Sequence, residues 1–320
     1  MPVRMKVARL DTADDEIQYD ALVATLGFEA RCTHVARQYP HRFSKIWAFA
    51  YGDLKVLSYE DNAKFYEDCN VVREPVSALS KSLAGLIQEL RDSFPADEVS
   101  GERVVPRIAV DISSMDRDRL ARTVLACTED QNEPLVVDFL YSFGEFDSTL
   151  VGSEGPVLVN RPVEGLEGWS TDPDAGIVCV LGLGYEARLA TAALETIEPH
   201  QTIAMMPIGE DARYEQIVRE VNEPMLRGMG VPEYEYQVGD ILQTIVDLNA
   251  SVSTWSRRSR VVLVPLGPKT LALASILIGV AHPENVTVWR LSADSGRQPE
   301  ERAASGTVVG ISVEVQPQHG

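Results

Sequence analysis

The chain has 320 residues, 45% of them hydrophobic, and sets 29 basic against 48 acidic side chains for a formal charge of −19. That length suits two domains of about 150 residues, and a chain of this size buries roughly 75% of its unfolded surface with no metal or disulfide staple. So acidic a surface disfavours an extended nucleic acid, whose affinity rests on neutralised phosphates, while leaving room for a small anion held by local donors.

Taken in chain order, the pattern is strand, turn, helix, many times over. Leu22–Leu26 is a short apolar run ending at Gly27, and Ile46–Tyr51 is the next strand. Tyr59–Cys69 and Leu79–Ser93 have helical periodicity, the second with Leu79, Leu83, Leu86, Ile87 and Leu90 on one face. Arg107–Val110 is a strand ending at Asp111, Leu120–Cys127 a helix and Leu135–Tyr141 a strand. The second half follows the same order. Strands are expected at Ile177–Leu181, Ile203–Ile208, Val261–Leu266 and Val286–Leu291, and helices at Ala187–Thr196, Tyr214–Leu226, Ile241–Val252 and Thr270–Val280. Near the end, TVVGISVEV alternates like a final edge strand.

Continuous Val/Ile/Leu strands separated by helices argue for parallel sheets covered on both faces. The fold class expected is therefore α/β, with two tandem Rossmann-like units. The stretch from Gly144 to Gly176 is rich in Gly, Pro, Ser, Asp and Glu, as surface connections are. It places a first unit at 1–150, a linker at 151–175 and a second unit at 176–320.

The opening residues, MPVRMKVARLDTADDE, lack the apolar core of a signal peptide. The longest apolar run, Leu271 to Ala281, falls short of the roughly 20 residues of a membrane span. Cys32, Cys69, Cys127 and Cys179 are scattered, as reduced core cysteines are, and the five histidines show no zinc spacing. A cytoplasmic protein with no membrane partner, no metal and no cofactor is expected.

The two halves also resemble each other directly. LVATLGFEAR, from Leu22, matches CVLGLGYEAR, from Cys179, and Glu29-Ala30-Arg31 recurs as Glu186-Ala187-Arg188. Gly27 and Gly184 stand 157 residues apart (184 − 27 = 157), as do Gly52 and Gly209, with no gap between these anchors. Self-similarity at a fixed offset marks a duplicated structural unit, and it leads us to expect the units to be related by a pseudo-twofold axis.

Two loops per half could carry chemistry. The first follows the opening strand and holds Gly27, Glu29 and Arg31, or Gly184, Glu186 and Arg188. Ligands of open α/β sheets sit outside the carboxyl ends of strands, where glycine permits close approach and helix-start N–H groups attract anions. Each Glu could bind ribose hydroxyls or base edges and each Arg an anion. Equally, each Glu could complement the helix dipole while each Arg forms an ion pair across the seam between the halves. The second loop follows a later strand: Asp111, Ser113, Ser114 and Arg117 in the first half, Gly267 and Lys269 in the second. Hydroxyls, backbone donors and one cation suit a phosphate or nucleobase. Lys269 is the only lysine after Lys81, and a point charge on a flexible stem differs from arginine's fork. Ordinary helix N-capping is the alternative for the two serines.

These loops carry a resemblance. A doubled Rossmann-like unit with a motif after its first strand, and a D-x-S or G-x-K motif after a later one, resembles the CRISPR-associated Rossmann fold (CARF) group. The fused pair is similar to the SAVED sensors of bacterial anti-phage systems. Asp111 and Ser113 match the acidic and hydroxyl positions, and Gly267 and Lys269 match in the second half. Ser114-Met115 replaces a glycine pair, the basic residue is displaced to Arg117, and Pro265 stands where the acid belongs. The resemblance implies a non-enzymatic sensor whose two units form one groove for a nucleotide-derived ligand, for example a cyclic oligonucleotide. No nuclease motif of the family's effectors is present, so any output would need a separate effector protein, or there is none. Two other readings stay open. One is an enzyme on a nucleotide or nucleoside, a phosphodiesterase or glycosidic hydrolase with Glu29 or Glu186 as general acid/base. The other is an antitoxin-like or scaffold subunit.

Overall fold

Two predominantly parallel sheets organise the chain. The computed structural model describes residues 4–50, 55–94, 104–128, 133–147, 155–168, 172, 174–293 and 299–317. These divide into two units: one comprises the described residues up to Glu145 together with those from Pro299 onward, the other those from Phe146 to Ala293.

The first unit opens with β1 (Arg4–Arg9), then β2 (Ala21–Leu26), α1 (His34–Gln38), β3 (Ile46–Ala50) and α2 (Tyr59–Phe65). It continues through β4 (Asn70–Val72), α3 (Leu79–Asp92), β5 (Arg107–Asp111), α4 (Arg117–Thr128) and β6 (Leu135–Gly144). Every residue of β2, ALVATL, is buried, as befits a strand covered on both faces. Helix α3 buries Leu79, Leu83, Ile87 and Leu90 along one stripe. Each such side chain contributes about 1.5–3 kcal/mol, and α3 packs on α4.

The second unit contains β7 (Val157–Pro162), β8 (Gly176–Gly182), α5 (Ala187–Ile197), β9 (Gln201–Ile208) and α6 (Ala212–Met229). After it come β10 (Glu233–Gln237), α7 (Ile241–Trp255), β11 (Ser259–Val264), α8 (Lys269–Ala281) and β12 (Val286–Ala293). Its core gathers Cys179, Leu181, Leu189, Leu194, Val218 and Val264. Helix α5 packs on α6, and α7 on α8. No helix among the described residues is long and apolar enough to cross a membrane.

The last strand, β13 (Ala304–Gln316), belongs to the first sheet. That sheet runs β1-β13-β6-β5-β2-β3-β4, and the second runs β10-β9-β8-β11-β12-β7. Strands β4-β3-β2-β5-β6 are mutually parallel, as are β10-β9-β8-β11-β12. The wiring is the same in both: the first strand is central, the next two lie on one side and the last two on the other. Each sheet adds antiparallel pairing beyond its fifth parallel strand, β13 on β6 and β7 on β12. The duplication expected from the sequence is a duplication of topology. Its second anchor, Gly52, lies outside the described residues.

Two boundaries differ from the sequence expectation. The unit division falls at 145/146 and again after 293, rather than at 150 and 175, because β13 returns to the first sheet. Residues 151–175 are not only a connection, since they contain β7. Strand β13 is also no edge. It pairs with β1 on one side and β6 on the other, and buries Val308, Ile311, Val313 and Val315. Alternation reports which face of a strand is covered and is silent about its neighbours.

Candidate functional site

In each sheet the strand order reverses beside the central strand. The chain leaves β2 toward β3 and β5 toward β6, in opposite directions, and β8 and β11 do the same. Loops that part in this way leave a crevice outside the carboxyl ends of the two strands, where ligands of open α/β sheets bind. The loops singled out by sequence follow these strands. Gly27–Arg31 follows β2 and Asp111–Arg117 follows β5, which pair side by side. Gly184–Arg188 and Pro265–Lys269 follow β8 and β11, also paired. Each unit therefore brings its own two candidate loops together.

In the first unit a carboxylate joins them. Glu29 Oε2 accepts from Arg31 Nε at 2.7 Å and from the Ser114 hydroxyl at 3.3 Å. Arg31 is 2% exposed, and its Nη1 reaches the Ser142 carbonyl at 3.4 Å. Burial works to lower the guanidinium pKa, but the Glu29 carboxylate and the Tyr141 hydroxyl outweigh it, and the net displacement is upward. Arg31 thus turns inward and pairs with its own loop's glutamate, instead of reaching outward to an anion. Glu29, Ser114 and Arg117 stay partly exposed.

Asp111 and Ser113 are buried and bound to each other. The Asp111 carboxylate accepts from the Ser113 amide at 2.9 Å and from the Ser113 hydroxyl. That hydroxyl accepts in turn from the Ser142 amide at 2.8 Å, stitching the β5 loop to β6. Neither serine caps α4. Asp116 does so, accepting from the Arg119 amide at 2.8 Å.

In the second unit the loops meet backbone to backbone. A Cβ on Gly184 would lie 2.6 Å from Gly267 Cα and 2.8 Å from its nitrogen. Gly267 has φ 73°, and a Cβ there would run into the Leu183 carbonyl. The glycines of this G-x-G segment let one loop approach the other, where sequence alone suggested approach to a ligand. Glu186 sits at the N-cap of α5, partly exposed, and Arg188 is exposed. Lys269 opens α8 behind Pro268 and is partly exposed.

One matched pair escaped the sequence reading. Asn62 of α2 donates its amide to the Gly27 carbonyl at 3.0 Å and to the Glu29 carbonyl at 2.9 Å. Asn222 of α6 donates to the Gly184 carbonyl at 2.9 Å. Both are buried, and each fixes the glycine that anchors the duplication. Their separation (222 − 62 = 160) departs by three residues from the 157 of the glycines. Gapless comparison passes over them.

No family model matches the chain, and no curated protein does. Among solved structures, a protein assigned to the universal stress proteins of Pseudomonas aeruginosa aligns over 86% of this chain and 93% of its own. Identity is 8% and the TM-score 0.22. The cytoplasmic domain of a prokaryotic cation chloride cotransporter aligns over 88% and 97%, at 9% identity and a TM-score of 0.24. Likenesses this low carry no argument about function.

Proposed function

We propose that the chain is a non-catalytic binding protein for a nucleotide-derived ligand, contacted within a unit by that unit's own two candidate loops, those after β2 and β5 or those after β8 and β11. The observation that carries this reading is the meeting of both candidate loops at the strand-order reversal of each unit, through Ser114 and Glu29 in one and Gly184 and Gly267 in the other. Partly exposed Glu29, Ser114 and Arg117 offer acceptors, a hydroxyl and a cation in the first unit, and Glu186 and Lys269 offer acceptors and a cation in the second. The geometry leaves Arg31, Asp111 and Ser113 a supporting role, because all three are buried and bonded within their own loops and to Ser142 of β6.

The resemblance to CARF and SAVED sensors makes a cyclic oligonucleotide the first ligand to try. It makes bacterial anti-phage defence the setting and a separate effector protein the recipient of the signal. Four free cysteines, three of them buried, suit the cytoplasm. The test is a thermal-shift panel of mononucleotides, cyclic dinucleotides and cyclic oligoadenylates. A ligand at 100 times its Kd stabilises the folded chain by about 2.7 kcal/mol, and melting unmoved by the whole panel rules the reading out. Turnover of a panel member, lost in Glu29→Gln or Glu186→Gln, would replace it with the catalytic alternative.

A further inference from the structure

Two backbone donors just after β2 are taken by a segment 271 residues further along the chain. The Ala30 amide donates to Glu301 Oε1 at 2.6 Å, and the Ser58 hydroxyl donates to Oε2 at 2.7 Å. The Arg31 amide donates to the Arg302 carbonyl at 3.1 Å, and the Glu145 amide to the Ala303 carbonyl at 3.0 Å. Glu301–Ala303 therefore crosses from the end of β2 to the end of β6, over the edge where the sheet offers its loops. Glu301 is exposed and Ser58 half-buried, so solvent reaches the contact.

Oε1 also accepts from the neighbouring Arg302 amide at 3.1 Å, so both carboxylate oxygens are held by donors, as a protein holds an oxyanion. Leu57, just before Ser58, has φ 53°, a left-handed conformation that a bulky side chain disfavours. The Ser58 amide is fixed as well, donating to the Phe28 carbonyl at 3.2 Å. The second unit lacks this arrangement at the matching position, where the Ala187 amide donates to the Tyr185 carbonyl at 3.1 Å.

We propose that the Ala30 N–H and the Ser58 hydroxyl form an oxyanion position of the first unit, held by Glu301 in the resting chain. A phosphate group of the ligand takes this position when residues 299–303 lift away. The inference rests on the nucleotide reading and adds to it the chemistry of one subsite and the group that guards it. Glu301 both occupies the donors and repels an incoming anion. Removing its charge while keeping its shape, in Glu301→Gln, lowers that barrier.

Calorimetric titration of wild type and Glu301→Gln with inorganic phosphate and with AMP tests this, with circular dichroism confirming that both are folded. We expect Glu301→Gln to bind both probes about tenfold more tightly, equal to about 1.4 kcal/mol, and Ser58→Ala added to it to abolish the gain. Equal affinities in wild type and variant, no binding by either, or a gain that survives Ser58→Ala overturns the proposal. Tighter phosphate binding by Glu301→Gln while no nucleotide of the panel binds keeps the oxyanion position and removes the nucleotide reading. A nucleotide bound equally by both keeps that reading and removes the guard.

Discussion

Replacing Arg31 with methionine separates a structural arginine from a ligand-binding one. The side chain is 2% exposed and its partner Glu29 17%, with Nε and Oε2 2.7 Å apart. Removing one member of a buried pair costs about 3–5 kcal/mol, mostly because the other charge is stranded. Glu29 keeps some exposure and the Ser114 hydroxyl, so the lower end, about 3 kcal/mol, applies. At about 2–4 °C per kcal/mol for a unit of this size, the first unit should melt about 6–12 °C lower. Scanning calorimetry of wild type, Arg31→Met, Glu29→Gln and the double variant reads it. The double variant should recover part of the loss, because it strands no carboxylate. Arg188→Met, on an exposed residue of the same motif, should shift melting by no more than about 2 °C. An Arg31→Met transition within about 2 °C of wild type, or a double variant no more stable than Arg31→Met, refutes the reasoning.

Three further outcomes follow from the backbone and the core. Gly267→Ala places a Cβ against the Leu183 carbonyl at a left-handed φ and should lower the urea stability of the second unit by about 2 kcal/mol or more; a loss below about 0.5 kcal/mol contradicts the loop contact. Glu198 closes α5 with φ 47° and is exposed, so Glu198→Gly should stabilise by about 0.5–1 kcal/mol, read from the same denaturation midpoint, and no gain counts against the strain. Burial pushes the thiols of Cys32, Cys127 and Cys179 from 9.0 up to about 12. They stay protonated in the folded chain while the unfolded chain ionises, so their stabilisation is complete below pH 9 and falls as pH rises from about 9 to 12. Urea midpoints at pH 7.5 and pH 10 measure the fall, which should shrink in Cys179→Ala; an unchanged difference speaks against it.

Much of the fold was legible because its parallel strands are apolar throughout. ALVATL and the runs of β8 and β11 announce burial on both faces, and all became central strands. Strand β10, Glu-Tyr-Glu-Tyr-Gln, did not, because an exposed edge demands no apolar pattern and Tyr236 alone is buried. The candidate loops were legible as positions, since strand ends and glycines mark them locally. Their side-chain roles were not. Glu-Ala-Arg is the same in both copies, yet Arg31 falls on a short 3-10 turn facing Ser142, and Arg188 falls in the first turn of α5 facing solvent. What decides between them lies more than a hundred residues away in the chain, as does Glu301 on the amide of Ala30.

The place of β13 governs the order in which the molecule can be made. Everything the second unit needs lies between Phe146 and Ala293, whereas the first must wait for Gln316 before β1 has a neighbour and β6 is paired on both sides. On the ribosome the later-translated body is thus ready to close before the earlier one. A chain halted near residue 300 would leave the second sheet intact and strip the first of an inner strand, exposing the open flank of β6 to other chains.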